Sequence, residues 1–351
     1  MRRKNLIVIG LILGVTLALR IFNIPIASSQ GPTLVATHVS DALPATDPAA
    51  ALWQKATPLE APLSAQQVTA PALPQTNVKA VTARALYNDS QLAILVEWSD
   101  PTKNDEMVRI QDFRDAVAVQ FPIGDQPLFV CMGQVDGNVN IWHWKADWQK
   151  DLTGWQDIQT IYPNMNVDQY PFARVAMPAP SDYADPNYVP AFAAKNLFAL
   201  PRKSPVENLV AGGFGTLTSQ PPDAQIVAGF GEWSGSKWRV IFTRDLKAAG
   251  ADMKSFDPTK VTPIAFAAWD GANGERNGQK SASQWANLQF ESAPAQTQTT
   301  GQPGASEPPV KRVVIPSPTP PNTAVLIGVF VILGVVTALT GLILKARGDW
   351  E

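Results

Sequence analysis

The sequence predicts a mainly β protein, a β-sandwich with long loops and short helices, followed near the C-terminus by one transmembrane helix. Three observations lead there. Short β-rich runs separated by Gly, Asp, Asn or Pro recur between residues 81 and 269. A stretch without any charge, AVLIGVFVILGVVTALTGLIL, runs from Ala324 to Leu344. Between the two lies a polar, proline-rich segment, too poor in apolar residues to build a core.

At the N-terminus, Arg2, Arg3 and Lys4 precede an apolar run from Leu6 to Leu19, the layout of an export signal. Residues 1–29 are therefore expected to be a signal peptide or an N-terminal membrane anchor. Ala27-Ser28-Ser29 offers a small-residue cleavage site, whereas IFNIPIA after Arg20 would extend the apolar run into a second span. Residues 30–292 form the expected extracytoplasmic domain. Its first part, Gln30 to Thr76, is rich in Ala, Pro, Gln and Thr, shows little periodicity, and is expected to lie extended on the domain surface.

Strands are expected from there on. Val81–Tyr87 and Leu92–Trp98 flank the turn residues Asn88 to Gln91 and predict a hairpin. Ala116–Phe121, Leu128–Met132, Val139–Trp144, Ile226–Phe230, Trp238–Thr243 and Ile264–Trp269 continue the pattern, whose spacing favours a sandwich. Gln149 to Pro222 carries many prolines and few periodic segments, so loops with one or two short helices are expected there.

Residues 293–322 are the expected linker and 323–345 the transmembrane helix, which at about 1.5 Å per residue covers the roughly 30 Å of a bilayer's hydrocarbon core. Lys345 and Arg347 follow it directly, while the preceding SPTPPNT carries no charge. The positive-inside rule then makes residues 346–351 a cytoplasmic tail and leaves the main domain outside. The helix holds no ionisable residue, His or Met, so it suits a tether and neither a proton path nor an intramembrane haem site.

Composition narrows the chemistry. A formal net charge of −2 argues against a nucleic-acid partner. With Cys131 as the one cysteine, an internal disulfide, a CxxCH haem attachment, a protein-ligated iron–sulfur cluster and a cysteine-rich zinc site are all excluded. His38 and His143 are the two histidines, too few for the common histidine-built metal centres. Residue by residue, ordinary roles come first: Met132 at a strand end as core filling, Lys280 in a Gly/Asn-rich loop as a solvated charge, Cys131 as a small buried hydrophobe. His143, between Trp142 and Trp144, should face away from both on a regular strand. The eleven tryptophans are core or rim aromatics, or a sugar platform if exposed.

The ordered set FRDAVAVQFP, MG followed by VNIWHWKADW, KSPVENLVAGGFGTLT, SKWRVIFTRDL and AFAAWDGANGERNGQKSASQW resembles the haem-binding γ subunits of ethylbenzene dehydrogenase, dimethylsulfide dehydrogenase and related molybdenum enzymes of the dimethyl sulfoxide reductase family. These segments fall within a region from about Leu34 to Leu288. The resemblance implies a non-covalent haem b at a β-sandwich, its iron held by a methionine and a lysine, here Met132 and Lys280. It implies a non-catalytic electron-transfer subunit working with a molybdenum catalytic subunit and an iron–sulfur subunit. A lysine ligand must be the neutral amine, which requires burial and the charge of the iron. With both axial positions filled, electron transfer is the natural role.

His143 is the competing ligand, with a place beside the haem the better expectation. Lys145 and Arg276 are among the cations that could neutralise the propionates. The linker and the C-terminal helix are not covered by the resemblance and leave a soluble cytochrome or a membrane electron carrier open as the next station. A haem-free carbohydrate- or ligand-binding sandwich and a haem sensor are the alternatives.

Overall fold

The computed structural model describes residues 31–124, 132–166, 194 and 196–292. In chain order the strands are β1 (Thr33–His38), β2 (Leu59–Pro62), β3 (Ser64–Ala65), β4 (Ala80–Tyr87), β5 (Gln91–Ser99), β6 (Ala116–Pro122) and β7 (Val139–Lys145). They continue with β8 (Val206–Ala211), β9 (Thr218–Ser219), β10 (Ala228–Trp233), β11 (Lys237–Asp245), β12 (Thr262–Trp269), β13 (Ser281–Ala282) and β14 (Ala286–Phe290). Helices are few and short, the longest described being α1 (Ala146–Asp151).

The strands form one continuous mixed sheet in the order β10-β11-β5-β4-β1-β14-β12-β6-β7-β8-β9, with β2 beside β4 and β13 joining β12 to β3. β1 runs parallel to both of its neighbours, and the long pairs β4–β5, β5–β11, β6–β7 and β7–β8 are antiparallel. β12 is the strand that passes from one arm of the sheet to the other. Its first residues, Thr262 to Ile264, pair with β14, and Ala265 to Trp269 pair with β6.

Period-two alternation explains which residues meet between the arms. Ile94, Val96 and Trp98 of β5 and Trp238, Val240 and Phe242 of β11 share one core with Val117, Val119 and Phe121 of β6 and Trp142 and Trp144 of β7. The Trp238 ring lies 6.1 Å from Trp98, stacked, and 4.9 Å from Trp144, tilted edge-on. Such pairs add about 0.5–1.5 kcal/mol to the burial of each ring. Gly231 of β10 makes room for this packing, since a Cβ there would stand 2.2 Å from Trp144.

The mainly β expectation holds, and the hairpin β4–β5 lies where its turn residues predict it. Three local expectations are corrected. Residues 30–76 are not a surface segment, because β1 sits between β4 and β14 with Leu34 and Ala36 fully buried. Gln149 to Pro222 contains β8, five of whose six residues are buried, in addition to loops. The strand expected at Ile226–Phe230 forms later, as β10. Of Leu128–Met132 only Met132 is described, and it lies in a turn. Cys131, the N-terminal segment 1–29, the linker 293–322 and the helix 323–345 lie outside the described residues. Among the described residues no helix is long and apolar enough to cross a membrane.

Candidate functional site

The face of β6, β7, β8 and β12 turned away from the shared core is floored by small side chains. Ala116, Ala118, Ala211 and Ala267 lie there, bordered by Val139, Ile141, Leu209 and Trp269, with Met132, Ala282 and Trp285 packed against them. Two turns of the same design deliver the candidate ligands to this face. In the first, Gln134 and Gly137 exchange backbone hydrogen bonds of 3.0 and 2.9 Å around Asp136, whose φ is 60°. In the second, Gln279 N donates to Arg276 O at 2.8 Å around Asn277, with φ 52°. Met132 precedes the first turn; Lys280 follows the second.

Each is held from the backbone. The Met132 carbonyl accepts from Gly213 N at 2.9 Å, and the Lys280 carbonyl accepts from Gln66 N at 3.0 Å. The buried Gln66 also donates through Nε2 to Gly278 O at 2.8 Å and Thr69 O at 3.0 Å, so one amide fixes the loop that carries Lys280. Gly133 next to Met132 has φ 78°, and a Cβ there would lie 2.7 Å from Ala211 O. Gly133→Ala is expected to lower unfolding stability by roughly 2–4 kcal/mol, from the left-handed backbone and the clash together, measured by urea titration.

The geometry brings Met132 and Lys280 together although 148 residues separate them in the chain: Lys280 Nζ donates to Met132 Sδ at 3.4 Å. Both side chains are half-buried. Lys280 Nζ also stands 5.4 Å from the centre of the Trp269 ring, whose Nε1 donates to Asn277 O at 3.1 Å. His143 faces away from Trp142 and Trp144, as strand alternation predicts, and stacks on Trp269 at 4.6 Å with 30° between the rings. Burial, then the charges of Lys145, Arg114 and Lys280, hold its imidazole neutral, well below its ordinary range. Among the described residues, His143 Nε2 and Trp285 Nε1 are buried without a hydrogen-bond partner beside an apolar, alanine-floored surface.

The two cations considered for propionates behave differently. Lys145 is buried in an ion pair with Glu207, which also accepts from Ser219 Oγ, and its ammonium lies 4.1 Å above the Trp148 ring. Burial, then the neighbouring Arg114, pulls it down to about 8 against the opposing pull of Glu207. Arg276 is exposed, lies over the Phe113 ring at 4.7 Å and donates to Gly274 O at 2.7 Å. His38, the other histidine, faces Asp89 Oδ1 at 3.3 Å at the end of β1.

Residues 50–281, which include both members of the Met132–Lys280 pair, match the family described as Ethylbenzene dehydrogenase. The chain belongs to that family. Chlorate reductase subunit gamma of Ideonella dechloratans is 26% identical over 249 residues, 70% of this chain and 80% of that one. Dimethylsulfide dehydrogenase subunit gamma of Rhodovulum sulfidophilum is 26% identical over 212 residues, 58% of each chain. A Haloferax mediterranei protein, provisionally named a respiratory nitrate reductase heme subunit, is 22% identical over 76% of this chain and 79% of its own. Among solved structures, a family 9 carbohydrate binding module from Caldicellulosiruptor kristjanssonii in complex with cellotriose covers 77% of this chain at 7% identity and a TM-score of 0.37, too loose a superposition to carry a ligand across.

Sequence reasoning missed Gln66 and Trp269 as organisers of the candidate site. Gln66 lies in a stretch without periodicity, and its role depends on a contact 212 residues away. Trp269 ends a strand whose register could be read, but its stacking partner lies two strands away in the ladder.

Proposed function

We propose that this chain is the electron-transfer subunit of an extracytoplasmic molybdenum oxidoreductase, a cytochrome b of γ type that catalyses nothing itself. The observation that carries the reading is the convergence of Met132 Sδ and Lys280 Nζ on an alanine-floored, aromatic-walled face. The folded-over sheet then serves as a haem-binding β-sandwich. Met132 and Lys280 would hold the iron of a non-covalent haem b, and the alanines would give its flat ring a floor without steric obstruction. When bound, the haem supplies a one-electron couple whose potential a thioether ligand raises.

Met132 Sδ and Lys280 Nζ, now in contact at 3.4 Å, would be the two residues to hold the iron, and would have to part to admit it. Both are long, unbranched side chains on turns, which suits such an adjustment. As an iron ligand Lys280 would have to be the neutral amine, a form that burial and the charge of the iron favour. His143 fits a supporting place better than the iron, because the two donors that meet are Met132 Sδ and Lys280 Nζ, while the His143 ring lies against Trp269. Its neutral state avoids adding a charge beside the haem.

The partners of this reading are the molybdenum catalytic subunit and the iron–sulfur subunit, with a soluble cytochrome or a membrane carrier receiving or supplying the electron. The apolar stretch 324–344 and its basic flank support a membrane tether with the main domain outside, joined through the proline-rich residues 293–322. The test is spectroscopic. Full-length chain produced with adequate haem supply should show a Soret band and reversible low-spin reduced bands, with non-covalent haem b by pyridine haemochrome. A colourless product under those conditions would remove the reading in favour of a haem-free binding protein, and rapid carbon monoxide binding to the reduced form would favour a sensor.

A further inference from the structure

The face of β4, β5 and β11 turned away from the shared core changes character along its strands. At one end Leu86, Ala93, Leu95 and Ile241 form a small apolar core with Trp53. Period-two alternation continues the same face into Arg84 of β4, Glu97 of β5, and Lys237 and Arg239 of β11. The single helical turn Ala51–Lys55 lies over the apolar end, with Trp53 Nε1 donating to Asp47 O at 3.1 Å. Where this cover stops, Pro48, Trp53 and Gln54 stand across from the charged residues and leave a cleft of about 300 Å³.

One carboxylate holds two guanidiniums side by side in this cleft. Glu97 Oε2 accepts from Arg84 Nη1 at 2.7 Å, and its Oε1 accepts from Arg239 Nε at 3.3 Å. Arg239 Nη1 also donates to Ser234 Oγ at 3.2 Å, which fixes the second fork. Arg84 Nε is buried with no hydrogen-bond partner among the described residues. Lys237 lies two residues from Arg239, hence on the same face, and makes no ion pair among the described residues. Three cations against one carboxylate leave a formal excess of two positive charges lining the cleft. Glu232, opposite Arg239 in the β10–β11 register, is exposed and stands outside it. Gathering like charges costs free energy that a bound anion recovers.

We propose that Arg84, Arg239 and Lys237 form a binding site for a phosphate monoester. Such a group carries about −1.5 to −2 charges at pH 7, which matches the excess, and it offers three strong acceptor oxygens. Guanidinium forks fit phosphate geometry, and a lysine adds a mobile point charge. Trp53 and Leu95, 2% and 1% exposed, give the cleft an apolar floor, and a less polar surrounding strengthens charge-assisted hydrogen bonds. A volume of about 300 Å³ suits a phosphate with a small alcohol attached. The same chemistry is offered by a soluble phosphate ester and by the headgroup of phosphatidic acid. The site lies on a different arm of the sheet from Met132 and Lys280 and does not depend on haem.

Calorimetric titration of the full-length chain in detergent provides the test. The probes are glycerol 3-phosphate and dihexanoyl phosphatidic acid, which carries the same monoester on short lipid chains; glycerol, without the phosphate, should give no heat of binding. Binding of glycerol 3-phosphate supports the site with a soluble ester as its ligand, and binding of the phosphatidic acid alone supports it with a lipid headgroup. Arg84→Gln and Lys237→Gln should each weaken binding at least about tenfold, the loss of one charge-assisted hydrogen bond. Lys237→Arg should retain it. Lys237 is the first residue of β11 and stands outside the Glu97 ion pairs, so its variants read the site even where Arg84→Gln disturbs folding. Failure of both esters to bind overturns the proposal, as does binding undiminished by Lys237→Gln.

Discussion

Lys280→Ala is expected to turn the haem of the full-length protein from a low-spin six-coordinate species into a high-spin one that binds carbon monoxide. Met132→Ala should also lose the low-spin signature, and it should lower the midpoint potential by on the order of 100 mV, because axial ligands move haem potentials over a range of about 0.8 V. His143→Ala should leave the low-spin bands in place. The expectation rests on Lys280 Nζ and Met132 Sδ being the two donors that meet, at 3.4 Å, while the His143 ring lies against Trp269. Absorption and redox titration of the three variants decide it. A low-spin spectrum that survives Lys280→Ala and vanishes in His143→Ala would transfer the ligand role to the histidine.

The largest effect on stability is expected from Glu207→Ala. Lys145 and Glu207 are 2% and 3% exposed, on neighbouring strands β7 and β8, where the register pairs Glu207 with His143. Removing the acid strands an ammonium in a site walled by Trp148, and breaking a buried pair in this way costs about 3–5 kcal/mol. The double variant Lys145→Met, Glu207→Leu should recover most of that loss, since replacing both partners by apolar groups avoids the stranded charge. Chemical denaturation of the single and double variants measures both values. Equal losses in the two would mean that packing, and not charge, sets the cost.

Much of this architecture was legible because strand periodicity is local. Val139–Lys145 alternates between core and outer face, and that alternation alone put His143 opposite Trp142 and Trp144. β1 was not legible: its six residues TLVATH show weak alternation, and their burial comes from β4 and β14 on either side. β8 was hidden within a proline-rich context whose loops dominate the composition. At the site, the Met132–Lys280 pair came from the ordered likeness of whole segments, since either residue alone reads as filler or as surface. The partnership of Lys145 with Glu207 could not be read at all. It depends on the register between β7 and β8 and on a ring from α1, three facts that become available only together.

The hand-over of β12 from one arm of the ladder to the other bears on timing. Met132 stands before β7, and Lys280 stands beyond the end of β12, so bringing the two together draws on the pairing of the first half of β12 with β14 and of its second half with β6. Contacts this distant in the chain are the slowest to be won in folding. A cofactor that needs both residues would therefore be captured late, by a chain whose ladder has already formed. Its retention would then serve as a proofreading signal for the whole sheet, with partly folded molecules left uncharged and unable to pass electrons.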